Sequence, residues 1–152
     1  MKFRIDYNEF NDYGVPIYIN SEQSFDFEPY VNSNFSIMLG SSYTSLEINL
    51  NNEKVLYLSG FNPTIMWKKG KVVLPNYKKG TLFIENLEDC FPGMGVETHN
   101  QFITSYDKKN GWLCLYSDYK SEYDHCVMFT RNTIVALNNN IIVAIWIKPK
   151  FI

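Results

Sequence analysis

The sequence predicts an all-β fold, mainly antiparallel, in a single globular domain over residues 1–152. Two features of the composition favour strands: Tyr and Phe each occur 11 times, and Ala occurs only as Ala136 and Ala144. Aromatic residues fit the pleated, half-buried surface of a sheet, whereas Ala is the best helix former. The third observation is a pattern of short apolar runs with a period of two residues, separated by residues that favour turns.

The N-terminal half predicts a first strand and one hairpin. Residues 2–7 alternate charged and apolar side chains, as a half-buried strand does. Residues 46–50 alternate in the same way, and the apolar run 55–58 follows after Asn51 and Asn52. Because Asn tolerates the positive φ of a tight turn, we expect these two runs to pair. Further short apolar runs predict strands at 17–19, 35–39, 72–74 and 82–84.

The C-terminal half predicts a second hairpin and a meander. Residues 102–106 and 112–116 flank a segment that ends in Asn110-Gly111, a pair suited to a turn. Three apolar runs then follow one another, with short Asn-containing turns between them, at 126–130, 133–137 and 141–147. The last two are continuously apolar, which is typical of strands covered on both faces, and we expect them at the centre of the fold.

Little helix is expected. The sequence has no long window with apolar residues at helical spacing. Only residues 21–31 and 85–91 could hold a short helix, and Pro29 and Pro92 limit both segments. About ten short strands in a single domain predict a β-sandwich or a partly closed barrel.

The sequence predicts a cytoplasmic protein with reduced thiols. The N-terminal residues lack the continuous apolar stretch of a signal peptide, and no run reaches the ~18 apolar residues of a membrane span. The three cysteines, Cys90, Cys114 and Cys126, are an odd number without CxxC spacing. We therefore expect neither disulfides nor membrane association.

No catalytic, metal or cofactor site is predicted. The sequence contains two histidines, His99 and His125, whereas a structural zinc site needs several Cys or His ligands at short spacings. Asp124, His125 and Cys126 are consecutive, but in a strand the middle side chain points to the opposite face from its neighbours. A nucleophilic pair of Cys114 or Cys126 with His99 stays open as an alternative.

Residues 61–80 form a basic segment, with five lysines and no acidic residue. Basic and aromatic side chains together can bind nucleic acid through phosphate contacts and base stacking. The net charge of −2 disfavours that interpretation, and Lys-Lys pairs also protect sheet edges from aggregation. The segment is a secondary candidate surface made of Trp67, Lys68, Lys69, Lys71, Tyr77, Lys78 and Lys79.

The main candidate surface follows the strand at 112–116. Residues 116–125 combine tyrosines with carboxylates in what we expect to be an exposed loop. Tyr is enriched at protein interfaces, and carboxylates attract a basic partner. Calcium binding is a weaker alternative because the sequence lacks the glycine and oxygen spacing of a calcium loop, and an ordinary polar loop is the other interpretation. The candidate contact residues are Asp118, Tyr119, Glu122, Tyr123 and Asp124.

Three functions are compatible with these patterns. The first is a non-enzymatic protein-binding module, such as a bacterial immunity or inhibitor protein that neutralises a basic toxin domain. The second is a small-ligand module that stacks carbohydrate on Trp67, Trp112 or Trp146. The third is an enzyme that uses Cys and His chemistry. We favour the first, because the sequence shows no catalytic motif and the tyrosine–carboxylate loop offers a contact surface.

Overall fold

The computed structural model describes residues 2–40, 42–98, 100–117 and 122–152. Strands make up 52% of the structure and helix 2%, which confirms the predicted all-β fold. The described residues form sixteen strands: β1 (Lys2–Asp6), β2 (Val15–Ile19), β3 (Ser24–Glu28), β4 (Phe35–Met38), β5 (Thr44–Asn49), β6 (Lys54–Phe61), β7 (Lys68–Lys69), β8 (Lys78–Lys79), β9 (Thr81–Glu85), β10 (Gly95–Glu97), β11 (Phe102–Tyr106), β12 (Leu113–Ser117), β13 (His125–Thr130), β14 (Thr133–Asn138), β15 (Ile141–Ile147) and β16 (Lys150–Phe151).

The strands form two mixed sheets that pack face to face in a sandwich-like arrangement. In the nine-stranded sheet the order is β10-β4-β5-β6-β3-β2-β16, with β9 bonded to β6 and β1 bonded to β9. In the seven-stranded sheet the order is β7-β11-β12-β15-β14-β13-β8. Each parallel pair includes one of the short strands β7, β8, β10 and β16, and the longer strands pair antiparallel. The described strands do not close into a barrel, so the sandwich is the predicted form that is found.

An apolar core fills the space between the two sheets. On β13, Val127 and Phe129 point into this core, while Cys126 and Met128 point to the opposite face. This alternation follows from the two-residue period of a strand. Burial of a large side chain such as Phe129 stabilises the fold by about 1.5–3 kcal/mol relative to an exposed position.

A second, smaller apolar cluster lies on the outer face of the seven-stranded sheet. Ile134 of β14 and Trp146 of β15 belong to this cluster. Val72 and Phe10, which come from segments outside the sheet, pack against the same cluster. Strands β14 and β15 are therefore covered on both faces and lie near the centre of the sheet, as their continuous apolar runs predict.

Residues 70–77, here named the crossing segment, connect β7 with β8 at the opposite edge of the sheet. The two strands belong to one register row, in which successive neighbours are Lys68, Ser105, Cys114, Trp146, Ile134, Met128 and Lys79. Six strand spacings amount to roughly 29 Å. An extended chain from Lys68 to Lys79 reaches at most about 40 Å, whereas a helix of that length reaches about 17 Å. The crossing segment must therefore be extended.

The predicted hairpins are formed, and two of their turns use Asn differently. Between β14 and β15, Asn139 and Asn140 both have positive φ, at 50° and 63°. Between β5 and β6 the residue with positive φ is Glu53, at 61°. In that turn the side-chain oxygen of Asn52 accepts a hydrogen bond from the N–H of Lys54 at 3.1 Å. Asn thus stabilises turns both by its backbone freedom and by its amide.

Three local predictions are wrong. Residues 21–31 are not helical, because Phe25 and Phe27 alternate with polar residues and are buried in β3. Residues 85–91 are not helical, because Asn86 has a φ of 63°, outside the helical range. Residues 72–74 form no strand, because the main-chain groups of Val72 bond to the side chains of Asp107 and Asn110 and not to a neighbouring strand. The helix in the described residues is one 3₁₀ turn, Thr64–Met66, and no helix there is long and apolar enough to cross a membrane.

Candidate functional site

The structure splits the basic segment between the two edges of the seven-stranded sheet. Lys68 and Lys69 form β7, which pairs parallel with β11. Lys78 and Lys79 form β8, which pairs parallel with β13. Lys71 lies between them on the crossing segment, with its side chain exposed. The seven predicted residues therefore do not form one continuous surface, although all four strand lysines are exposed at an edge.

Trp67 packs inward instead of offering its ring to solvent. Its indole Nε1 donates a hydrogen bond to Oδ1 of Asn62 at 2.6 Å. The ring makes edge contacts with Tyr18 and Tyr106, at centroid distances of 4.9 and 5.2 Å. Trp146 is buried in the outer cluster, and Trp112 packs against that cluster. The three tryptophans on which the carbohydrate hypothesis depended are thus packed side chains.

The β8 edge brings half of the basic segment close to the end of the tyrosine–carboxylate loop. β8 pairs parallel with β13, with Lys78 opposite Val127. Tyr77 and Lys78 therefore lie near Asp124 and His125, which precede and begin β13. Between them is a groove of about 430 Å³, here named the tyrosine groove, lined by Tyr7, Asn76, Tyr77, Lys78, Asp124, His125 and Cys126. A neighbouring cavity of about 310 Å³ shares Tyr7 and His125 and extends to Arg4 and Glu85.

The described end of the loop is exposed but anchored. Glu122, Tyr123 and Asp124 are all exposed, whereas Asp118 and Tyr119 lie outside the described residues. The N–H of Asp124 donates to the carbonyl oxygen of Leu137 at 2.9 Å. The Tyr123 ring contacts Trp146 edge-on, with 6.2 Å between ring centroids. These contacts fix where the loop enters β13.

Charges of both signs surround the tyrosine groove. The Lys78 ammonium lies 5.7 Å from the centre of the Tyr7 ring. Arg4 forms an ion pair with Glu85 at 3.1 Å in the neighbouring cavity, and Asp124 lines the tyrosine groove together with Lys78. A surface that binds a nucleic-acid backbone is dominated by positive charge. The tyrosine groove instead carries charges of both signs.

Burial raises the pKa of three groups that could act as nucleophiles. Burial raises the pKa of the Cys126 thiol to about 11, and it raises that of Cys114 to about 12. Burial, with Cys126 and Asp124 nearby, also raises the pKa of the Tyr7 hydroxyl. Both thiols and this hydroxyl are therefore protonated at neutral pH, whereas the thiolate is the nucleophile of a Cys enzyme.

No cluster of three His, Cys, Asp or Glu residues in the described part of the chain could hold a metal ion. His99, the other histidine considered for a nucleophilic pair, falls outside that part. His125 is exposed and lines the groove. The arrangement can donate and accept hydrogen bonds and can pair with charges of either sign.

Sequence reasoning missed Tyr7 and Asn76 as groove residues and gave His125 no role. Tyr7 follows β1, and its position depends on the pairing of β1 with β9. Asn76 reaches the groove because the crossing segment ends there. Neither residue has a local signal, since both are placed by contacts between distant parts of the chain.

Comparison with known proteins gives no match: no protein-family model fits the sequence, and no curated protein is significantly similar to it.

Proposed function

We propose that this chain is a non-enzymatic protein-binding module and that the tyrosine groove is its contact surface. The observation that carries this proposal is the convergence of two candidate surfaces that are some forty residues apart in the sequence. Tyr77 and Lys78 of the basic segment and Asp124 of the loop all line the groove. Tyr123 precedes Asp124 in the loop, and its exposed ring contacts Trp146. Tyr7, Tyr77 and Tyr123 are each between 40% and 47% exposed, so every ring has area to offer a partner.

The physical properties of the groove suit protein recognition. Tyrosine supplies a large contact area at a low entropic cost, because its ring has few rotatable bonds. The anchored loop end needs little reordering on binding, which preserves binding free energy. Lys78 and Asp124, which both line the groove, would select a partner that carries charges of both signs.

The narrower proposal is an inhibitor that acts in the cytoplasm on a toxin with a basic domain, of the kind that bacterial immunity proteins neutralise. Its support is the net charge of −2 and the exposed carboxylates of Glu122 and Asp124 beside the groove. Complementary charge would accelerate association, and the acceleration would weaken as salt screens the charges.

Affinity capture from lysate of the source cells, followed by mass spectrometry, tests this function. We expect one stoichiometric partner that stays bound in moderate salt. The double variant Tyr77→Ala/Tyr123→Ala should bind this partner about 30-fold more weakly, because truncation of interface hot spots typically costs about 2 kcal/mol. The matched control is Tyr30→Ala, an exposed tyrosine of the other sheet region. Equal binding by the double variant and the control would remove the tyrosine groove from the proposal.

A further inference from the structure

The opposite edge of the seven-stranded sheet borders a second groove, at the seam between the two sheets. This seam groove has a volume of about 430 Å³. Thr44 of β5 and Phe61 of β6 line it from the nine-stranded sheet, and Phe102 and Thr104 of β11 line it from the seven-stranded sheet. The 3₁₀ helix adds Met66 to the wall. Neither candidate surface predicted from the sequence is centred on this groove.

Part of β11 has no strand beside it in the seam groove. β7 pairs only with Ser105 and Tyr106, and Gly70 N–H donates to the carbonyl oxygen of Tyr106 at 3.1 Å. Main-chain groups of alternate residues in a strand point to the same side, so the N–H groups of Thr104 and Phe102 point the same way as those of Tyr106. No strand in the described residues pairs with Phe102–Thr104 on that side.

Large apolar side chains stand exposed around this free edge. Ile65 is 88% exposed and Met66 is 70% exposed, both on the 3₁₀ helix. The ring of Tyr43, also exposed, contacts Phe61 edge-on at a centroid distance of 6.5 Å. Exposed apolar side chains that are grouped beside a groove mark interaction sites more often than scattered ones do.

The floor of the seam groove is held by a buried hydrogen-bond network. The side-chain amide of Asn62 donates to Oγ1 of Thr44 at 3.1 Å and to Oγ1 of Thr104 at 3.2 Å. The side-chain oxygen Oδ1 of Asn62 accepts a hydrogen bond from the Trp67 indole N–H. Thr44 in turn donates to the carbonyl oxygen of Phe61 at 3.0 Å. The network joins Thr44 of one sheet to Thr104 of the other through Asn62, and a fully bonded buried network of this kind makes a site rigid.

The charge at this groove is positive. Lys68 lines it, and Lys69 follows on the same edge. The segment 61–80, which supplies one wall, contains five lysines and no acidic residue. A partner segment that carries a carboxylate next to an apolar side chain would match both features.

We propose that the seam groove binds an extended segment of a partner protein, which adds as a strand to β11 at Phe102–Thr104. In this mode main-chain hydrogen bonds supply affinity, and pockets for alternate side chains supply specificity. The partner segment places an apolar side chain between Phe61 and Met66, and it pairs a carboxylate with Lys68. This site is on the opposite edge from the tyrosine groove and does not depend on it.

A random peptide library displayed on phage and selected against the full chain tests this inference. We expect enriched peptides that alternate apolar residues and carry Asp or Glu. Synthetic copies of the enriched peptides should bind the unchanged protein, as measured by fluorescence anisotropy. Met66→Asp and Lys68→Glu, both at exposed side chains, should each weaken that binding at least tenfold. Lys78→Glu, at the opposite edge, is the matched control and should leave it unchanged.

The main-chain contact is tested at Phe102. Phe102→Pro removes an N–H at the first residue of an edge strand, where proline is tolerated, whereas Phe102→Leu keeps it. Peptide binding should be lost in the first variant and kept in the second. Binding that survives both Met66→Asp and Phe102→Pro would overturn the inference. It would also be overturned by a concentration-dependent dimer that Met66→Asp dissociates, since a second copy would then fill the groove. Tyr77→Ala/Tyr123→Ala should leave peptide binding intact, which separates this test from that of the proposed function.

Discussion

Each edge of the seven-stranded sheet ends in a Lys-Lys strand, but the surfaces beside the two edges differ in character. Lys68-Lys69 and Lys78-Lys79 each form a two-residue strand parallel to the edge. Next to the first pair lies the apolar seam groove, walled by Phe61 and Met66. Next to the second lies the tyrosine groove, walled by polar and charged groups such as Asp124. A Lys-Lys edge strand therefore does not by itself determine the character of the surface beside it.

The difference comes from the segments that reach each edge. At β7 the neighbours are β5 and β6 of the other sheet, which bring core-like apolar residues to the seam. At β8 the neighbours are the residues after β1, which include Tyr7, and the end of the tyrosine–carboxylate loop, which includes Asp124. Short edge strands with lysines discourage indiscriminate strand pairing. The two surfaces beside these edge strands differ because different segments of the chain form them.

The crossing segment joins the two edges, and its anchoring to the outer face should give the largest effect on stability. Val72 is 6% exposed and packs in the outer cluster, whereas the next residue, Val73, is 67% exposed. Val72→Asp places a carboxylate among apolar side chains and should lower the free energy of unfolding by about 3 kcal/mol. Val73→Asp should change it by less than about 0.5 kcal/mol. Urea denaturation of both variants measures the difference.

Equal stability of the two variants would mean that the crossing segment does not cover the outer face. If Val72→Asp lowers the stability, it should also disturb both grooves, because the crossing segment joins β7 to β8. Chemical labelling of Cys126, which is buried in the same cluster, gives a second measurement. Its thiol should react faster in Val72→Asp than in Val73→Asp, because the crossing segment no longer shields it from solvent.

Much of the strand pattern is predictable from local sequence because it depends on local rules. The alternation at residues 46–50 and the Asn-containing turns predict the hairpins that β5–β6 and β14–β15 form. The continuous apolar runs of β14 and β15 predict their central position, since only strands covered on both faces can bury such runs. These features need no knowledge of distant residues.

The sites were less predictable because they depend on where distant segments meet. The lysines at 68–69 and 78–79 look like one basic surface in the sequence, but the extended crossing segment places them at opposite edges. Two-residue parallel strands have no periodic signal, so β7 and β8 could not be found from pattern. Trp67 looks like a stacking platform, but a buried Asn62 holds its indole inward.

One buried polar side chain, Asn62, joins both sheets beside the seam groove. Asn62→Ala removes the partner of Thr44, Thr104 and Trp67 and leaves the Trp67 indole N–H without its acceptor. We expect a loss of about 2 kcal/mol in the free energy of unfolding, the usual cost of an unsatisfied buried polar group. Asn76→Ala, an exposed amide in the tyrosine groove, is the matched control and should be nearly neutral.

Thermal or urea denaturation of both Asn variants measures this difference between the edges. Tryptophan fluorescence gives a more local signal, because the Trp67 ring should gain motion only in Asn62→Ala. If Asn62→Ala and Asn76→Ala are equally stable, the buried network is not what holds the seam groove in shape.

The smallest expected effect is on the stability of the fold in acid, to which Asp107 and Asp12 contribute in different ways. Hydrogen bonds from the N–H groups of Val72 and Lys109 hold the pKa of Asp107 below its ordinary value of 3.8. The Arg131 guanidinium does the same for Asp12 through a hydrogen bond and charge. Because both pKa values are lowered, each carboxylate contributes stability above about pH 4, and this contribution is lost as the pH falls through the folded-state pKa.

Asp107→Asn and Asp12→Asn should therefore both flatten the acid side of the stability profile, and salt should distinguish them. The hydrogen-bond partners of Asp107 are neutral main-chain groups, and the Lys109 charge is the smallest cause of its lowered pKa, so most of its contribution should persist in high salt. Asp12 and Arg131 form an exposed ion pair, which salt screens. Urea midpoints at neutral pH and at about pH 3, in low and high salt, test this. If high salt abolishes the effect of Asp107→Asn as well, then charge, and not hydrogen bonding to neutral main-chain groups, holds the crossing segment at the end of β11. Asp107 and Asp12 would then stabilise the fold in the same way.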